Sequence, residues 1–163
     1  MSEEITRIED HAAGFSIAVP LSWKVLKKEA FAKFGFLDPN TIFAIILPDG
    51  NRLVINNGGR CSAEQLDEAY QLNIDTMKQA GHNVSNETVL QSNSIIIKRA
   101  FVDISRPDGG MTRVCQNYTI INDHLVNFTA KADPTIDSEN TIELANQPIA
   151  RDIYNLIMSV QTF

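Results

Sequence analysis

The stretch that decides the fold is "SIIIKRAFVDISRPDGGMTRVCQNYTIINDHLVNFTAKA", residues 94–132. Three segments, 94–106, 111–121 and 125–132, alternate apolar with polar side chains and are rich in β-branched and aromatic residues, the period of strands with a buried face. Turn signals separate them, so they read as an antiparallel meander. Pro107-Asp108-Gly109 suits a three-residue loop, because proline presets the first turn dihedral and glycine takes the left-handed slot. That loop sets Arg106 opposite Gly110. It then pairs Val102 with Val114, Ala100 with Gln116 and Ile96 with Ile120, and on the reverse face Asp103 with Arg113 and Phe101 with Cys115. A slip of one residue would oppose Val114 to Asp103 and Arg113 to Ile104, a poorer match.

The second turn is read the same way. A two-residue Asn122-Asp123 loop would oppose Phe128 to Asn117. A three-residue loop through His124 opposes Phe128 to Tyr118 and Val126 to Ile120, and matching apolar to apolar selects it. One face then carries Ile96, Ala100, Val102, Ile104, Val114, Tyr118, Ile120, Val126, Phe128, Ala130 and Ala132, interrupted by Lys98 and Gln116. The opposite face carries Arg99, Asp103, Arg113, Asn117, Thr119, Asn127, Thr129 and Lys131, mixed with Ile95, Ile97, Phe101, Cys115, Ile121 and Leu125.

Working outward, residues 133–147 read as a loop with room for a helical turn. "PIARDIYNLIMSVQTF" then starts on Pro148, suited to a first helical turn. Its stripe of Ile149, Ile153, Leu156, Ile157 and Val160 is expected to cover the apolar sheet face. Toward the N-terminus, 84–91 reads as a further strand. It is preceded by the clearest helix, "CSAEQLDEAYQLNIDTMKQAG". Ser62 and Gln65 form a capping box, Leu66, Ala69, Tyr70, Ile74 and Met77 one stripe, and Gly81 the stop. In "TIFAIILPDGNRLVINN" two apolar runs flank Asp49-Gly50-Asn51, a hairpin signal. "LSWKVLKKEAFAKF" is compatible with helix through Leu26, Ala30 and Phe34, and with strand. Phe15, Ile17 and Val19 alternate as a strand that Pro20 ends, with Trp23, the chain's one tryptophan, just beyond at the core edge.

The chain has 163 residues, 44% hydrophobic and 21% charged, with net charge -6 and pI near 5.0. That is enough chain for a full core in a single domain, 1–163. The acidic balance excludes the basic footprint of non-specific nucleic-acid binding. No apolar run approaches the roughly 20 residues of a membrane helix. The opening "MSEEITRIEDHAAG" is acidic and lacks an apolar h-region, so the expectation is a cytoplasmic protein if the chain is complete and an exported one if a leader was trimmed. The two cysteines, Cys61 and Cys115, are expected as free thiols.

Chemistry-bearing motifs are sparse. His11, His82 and His124 lack metal-ligand spacing, and no phosphate-binding loop or nucleophile elbow occurs. Gly58-Gly59 before Arg60 could cradle an anion at a helix N-terminus, but reads first as a strand-to-helix turn. Asp103, Asp108 and Asp123 lack calcium-loop spacing. Sequons at Asn83, Asn86, Asn117 and Asn127 read as chance matches, since two fall within paired strands. No catalytic residue, metal or cofactor is assigned.

"FSIAVPLSW" at 15–23 and "IYNLIMSVQTF" at 153–163, with the element order between them, resemble the PsbP-like superfamily. That group takes in photosystem II extrinsic proteins, a Ran-binding nuclear import factor and the DcrB-like bacterial proteins. The resemblance implies an α+β fold, a three-layer α/β/α sandwich around a mainly antiparallel sheet of about six to seven strands. It also implies a role in assembly, transport or secretion, usually through binding another protein; the chain is expected to be a monomer or homodimer. The leading functional expectation is therefore a non-catalytic protein-binding or assembly module. A small-ligand or lipid carrier with a pocket between sheet and helix comes second, and an enzyme of unrecognised type third. On the mixed sheet face, the 63–80 helix is expected over the apolar part. The polar part, Arg99, Asn117, Asn127 and Thr129, is expected to stay open for a protein or peptide partner, with arginine as the anchor.

Overall fold

The computed structural model describes residues 4–163. Its strands are β1 (Ile5–Asp10), β2 (Phe15–Pro20), β3 (Lys24–Val25), β4 (Thr41–Ile46), β5 (Arg52–Arg60), β6 (Asn83–Ser92), β7 (Ile95–Ser105), β8 (Met111–Ile121), β9 (His124–Lys131) and β10 (Gln161–Thr162). Its α-helices are α1 (Leu66–Gln79), α2 (Thr141–Ala145) and α3 (Pro148–Met158). Seven strands form an antiparallel sheet in the order β3-β4-β5-β9-β8-β7-β6, and a second sheet runs β1-β2-β10. Helix α1 covers one face of the large sheet, and α3 with the small sheet covers the other. The expected sandwich of helices around a mainly antiparallel sheet is the observed architecture.

Local signals act where they are strong. Arg106 N donates to Gly110 O at 2.8 Å, Gly109 adopts φ 85°, and the β7–β8 ladder runs Asp103–Arg113, Val102–Val114 and Ala100–Gln116 as its turn dictates. The Asp49-Gly50-Asn51 hairpin joins β4 to β5, closed by Leu47 N donating to Asn51 O at 2.8 Å. Ser62 and Gln65 close a capping box over a 3₁₀ turn that leads into α1, with Gln65 Oε1 accepting from Ser62 N at 3.1 Å. Proline opens α3, whose Ile149, Ile153, Leu156 and Ile157 are all buried. Each such side chain contributes about 1.5–3 kcal/mol by leaving water, more than the roughly 0.7 kcal/mol that separates ordinary residues in helix propensity.

The second turn corrects the reading of the meander. β8 and β9 pair Asn117 with Phe128, Thr119 with Val126 and Ile121 with His124, so the loop is the two residues Asn122 and Asp123. Both have positive φ, 51° and 57°, the primed geometry that matches strand twist. Because the side-chain period is two, the one-residue difference turns all of β9 over. Val126, Phe128 and Ala130 join Cys115, Asn117 and Thr119 on the α3 face, where Val126 and Phe128 are fully buried. Leu125, Asn127, Thr129 and Lys131 face α1's side instead. The two helices exchange faces accordingly. Leu66, Tyr70 and Ile74 of α1 pack on Ala100 and Tyr118, while α3 packs over Phe101, Cys115 and Phe128.

The N-terminal third differs as well. Phe15, Ile17 and Val19 are buried as expected, but β2 is the centre of the small sheet rather than a member of the large one. Its neighbours β1 and β10 carry no apolar run that marks them in the sequence. The ambiguous segment after Trp23 resolves into the short β3 and two 3₁₀ turns, Lys28–Ala30 and Ala32–Phe34, stopped by Gly35 at φ 87°.

Candidate functional site

The four residues expected to share an open face are divided between the two faces. Arg99 and Asn117 lie under α3, 4% and 0% exposed. Arg99 Nε donates to Asn117 Oδ1 and its terminal nitrogen to the Ala150 carbonyl of α3, both at 2.9 Å. Asn117 Nδ2 reaches Cys115 Sγ and Phe128 O, both at 3.4 Å. Burial lowers the Arg99 pKa from its ordinary value. A guanidinium committed in this way holds α3 to the sheet and has no access to a partner, so the expectation of an open arginine anchor is overturned. The polar groups tolerate this face because they satisfy one another there.

Arg113 on the same face is tied likewise. Its Nε and Nη2 grip Asp103 at 2.7 and 3.2 Å, and Nη1 donates to the Ile136 carbonyl at 2.6 Å. This buried fork anchors the loop before α2.

Asn127 and Thr129 lie half-buried on the other face, with Thr129 Oγ1 donating to Asn127 Oδ1 at 3.0 Å. Across the sheet they belong to two rows. Val54, Thr129 and Gln116 are neighbours in one, and Asn56, Asn127 and Tyr118 in the next. Helix α1 lies over β6, β7 and β8 and its cluster reaches β9 only at Leu125, so a trough remains over β5 and the rest of β9. One part is a cleft of about 290 Å³ whose lining includes Phe36, Arg52, Val54, Thr129 and Lys131. The adjoining part, about 220 Å³, is lined by Asp38, Asn40, Asn56, Asn73, Met77 and Asn127, among others.

Its outer wall is built locally. Gly35 turns the chain, Phe36 N returns to Phe31 O at 2.9 Å, and the Phe36 ring lies 5.5 Å from the Arg52 guanidinium. Arg52 donates to the Phe34 carbonyl at 2.5 Å. Asp38 Oδ1 accepts from Asn40 N at 2.8 Å, and Thr41 Oγ1 donates to Asn56 Oδ1 at 2.8 Å. On the inner wall, Asn73 Nδ2 donates to Ala69 O at 2.8 Å, while Tyr118 donates its hydroxyl to Gln116 Oε1 at 2.7 Å. These bonds leave Asn127 Nδ2, Gln116 Nε2 and Asn73 Oδ1 without a hydrogen-bond partner among the described residues. They are two donors and one acceptor that the fold itself leaves unused. Asn56 and Asn73 escaped the sequence reading, and Gln116 entered it only as an interruption of the apolar face. The parity of β9 was the signal that would have placed them beside Asn127.

The titratable groups here are quiet. Burial raises the pKa of Tyr118, and burial with the Glu87 carboxylate beside it raises that of Tyr70, so both phenols stay protonated. Burial also raises both thiols: Cys115 under α3, despite the opposing pull of Arg99 and Asn117, and Cys61, to which Glu68 adds. A nucleophilic cysteine needs the opposite shift. Cys61 and Cys115 are not bonded to each other. His11 sits beside Glu9 at 3.2 Å, His124 beside Asn57 at 3.3 Å, and His82 follows α1. Among the described residues no three His, Cys, Asp or Glu side chains group to hold a metal ion. Gly58 and Gly59 belong to β5 itself, at a break in its ladder to β9, rather than to a strand-to-helix turn. No helix among the described residues is long and apolar enough to cross a membrane.

A large antiparallel sheet flanked by α1 on one side and by α3 with a small sheet on the other is a PsbP-like fold. The solution structure of cyanobacterial PsbP (CyanoP) from Synechocystis sp. PCC 6803 is similar to it with a TM-score of 0.57 and 10% identity, over 100% of this chain and 95% of that one. A crystal structure from Bacteroides thetaiotaomicron VPI-5482 is similar with a TM-score of 0.54 and 9% identity, over 91% of this chain and 45% of that one, so this chain matches less than half of that protein. No family model and no curated protein matches the chain.

Proposed function

We propose that the protein is a non-catalytic binding module whose trough, between α1 and the 36–40 loop, receives an extended segment of a protein partner. The carrying observation is the set Asn127 Nδ2, Gln116 Nε2 and Asn73 Oδ1. Asn73 of α1 and Asn127 of β9 line the smaller part of the trough, Gln116 lies buried in the neighbouring row beside Thr129, and these three groups are not used inside the fold. A peptide backbone alternates donors and acceptors and suits such a set of carboxamides. Arg52 and Lys131 at one end and Asp38 at the other add a polarity that would orient the segment. The fold itself is neutral, since one fold hosts many functions. A lipid carrier finds less support, because Leu66, Tyr70, Ile74 and Tyr118 fill the space between α1 and the sheet, with the two tyrosine rings edge-on at 5.5 Å.

A photo-crosslinking residue placed at Met77, on the trough wall, tests this in the native cell. Leu72, exposed on the same helix, is the control position. The expected result is a discrete crosslinked product from position 77 that is absent at 72 and is lost when Asn127→Ala and Gln116→Ala are added. Equal yields at both positions, or yields indifferent to the carboxamides, would reject the trough.

A further inference from the structure

The small sheet has two edges, and they are unequal. β10 offers two residues and β1 offers six. Leu21 N donates to Glu4 O at 2.9 Å, which sets the phase of the β1–β2 ladder. The hydrogen-bonded pairs are Thr6–Val19, Ile8–Ile17 and Asp10–Phe15. The amides and carbonyls of Ile5, Arg7 and Glu9 therefore point away from β2, toward solvent. Pro20, which has no amide to give, sits opposite Ile5 in a non-bonded pair, as this phase demands.

An exposed edge is a template for another strand, and folds commonly blunt one with a bulge, a proline or a cover. β6, the ten-residue edge of the large sheet, is blunted. Its register shifts between Ser85 and Thr88, Asn86 turns to φ 53°, and the Asn86 side chain donates to the Ser138 carbonyl. β1 has an unbroken register, and the exposed charges it carries, Arg7 and Glu9, are of opposite sign and can complement a second strand.

We propose that β1 pairs antiparallel with β1 of a second copy of this chain, joining the two small sheets into one continuous sheet. Such a pairing is isologous, so the strand must complement itself. Outward-facing residues must meet outward-facing residues, which leaves few registers. Setting Arg7 on the partner's Arg7 opposes like charges. Setting Arg7 on the partner's Glu9 opposes unlike charges twice, once on each side of the axis. In that register Ile8 meets the partner's Ile8 on the two-fold axis, and Ile5 meets the partner's His11. Ile5 is 57% and Phe163 60% exposed, and the Phe163 ring lies 5.4 Å from that of His11. The register that matches charge therefore also brings these two exposed apolar side chains toward each other.

Sedimentation equilibrium of the full chain reads the outcome. The expected species has twice the 18.1 kDa chain mass. Arg7→Glu and Glu9→Arg should each weaken the dimer by about tenfold or more, and the double exchange should restore it. The double exchange is the deciding variant, because each single one also breaks an intrachain contact, Arg7 with the Ser159 carbonyl at 3.0 Å and Glu9 with His11 at 3.2 Å. A second measurement fixes the register. Cα atoms of a non-bonded antiparallel pair are about 4.5 Å apart, within disulfide range. Mild oxidation of Ile8→Cys in a Cys61→Ser background should therefore give a covalent dimer, and Thr6→Cys should not. A monomer at every concentration, a dimer indifferent to Glu9→Arg, or trapping through Thr6→Cys instead would each overturn the proposal. None of these results bears on the trough.

Discussion

Asn117 of β8 sits directly opposite Phe128 of β9, a carboxamide paired with a fully buried ring. The pairing looks unfavourable in isolation. It holds because Asn117 spends its groups on Arg99, Cys115 and the Phe128 carbonyl, while Phe128 enters the core under α3. Two adjacent residues of β9 therefore have opposite fates. Phe128→Ala should cost about 3–5 kcal/mol in denaturant unfolding, the range for a buried aromatic. Asn127→Ala should change stability by no more than about 0.5 kcal/mol, as for a surface position. Comparable losses at both positions would contradict the parity of β9.

The same turn can be improved. Asp123 holds φ 57°, a left-handed conformation that costs a residue with a Cβ roughly 1–2 kcal/mol. Asp123→Gly creates the Asn-Gly pair preferred in two-residue hairpins. It should raise the unfolding midpoint by the equivalent of about 0.5–1 kcal/mol, allowing for the entropy glycine adds to the unfolded chain. A three-residue loop would gain nothing from this change.

Asp103→Ala should be severe. It strips the carboxylate from Arg113, whose side chain is 4% exposed, and leaves a buried cation unpaired. Removing one partner of such a pair costs about 3–5 kcal/mol. The exposed pair Arg106–Asp108 supplies the comparison, where breaking the ion pair is worth at most about 1 kcal/mol. Thermal melts of Asp103→Ala and Arg106→Ala check the contrast.

Stability should fall in alkali. Tyr70, Tyr118 and Cys115 all have folded pKa values raised above their ordinary ones, chiefly by burial. A raised acid pKa means that the unfolded chain releases its proton first as pH rises. The stabilisation is thus complete below the unfolded pKa and is lost above it. The ordinary values are 9.0 for cysteine and 10.0 for tyrosine, so the decline should begin near the first and steepen past the second. Urea midpoints measured across this range should show a shallower alkaline decline for Tyr118→Phe than for the parent.

What was legible in the sequence was what neighbours in the chain decide. Pro107-Asp108-Gly109 set the β7–β8 register because its dihedrals are intrinsic to those residues. Ser62 and Gln65 opened a helix because a cap needs only the next few amides. The alternation of 94–106 and 111–121 marked strands because pleating has a period of two. β9 was legible as a strand but not by face, since Asn122-Asp123 carries no glycine to announce a two-residue loop. With that parity hidden, so were the faces of α1 and α3, and so was the trough that Asn127 shares with Asn56, Asn73 and Gln116. The role of Arg99 was out of reach for a related reason. Its partners are Asn117, 18 residues away, and Ala150, 51 residues away. A polar side chain carries no mark of whether water or a distant carbonyl will satisfy it. Only the tertiary structure decides that, because the cost of burying such a group depends on partners that folding alone brings within reach.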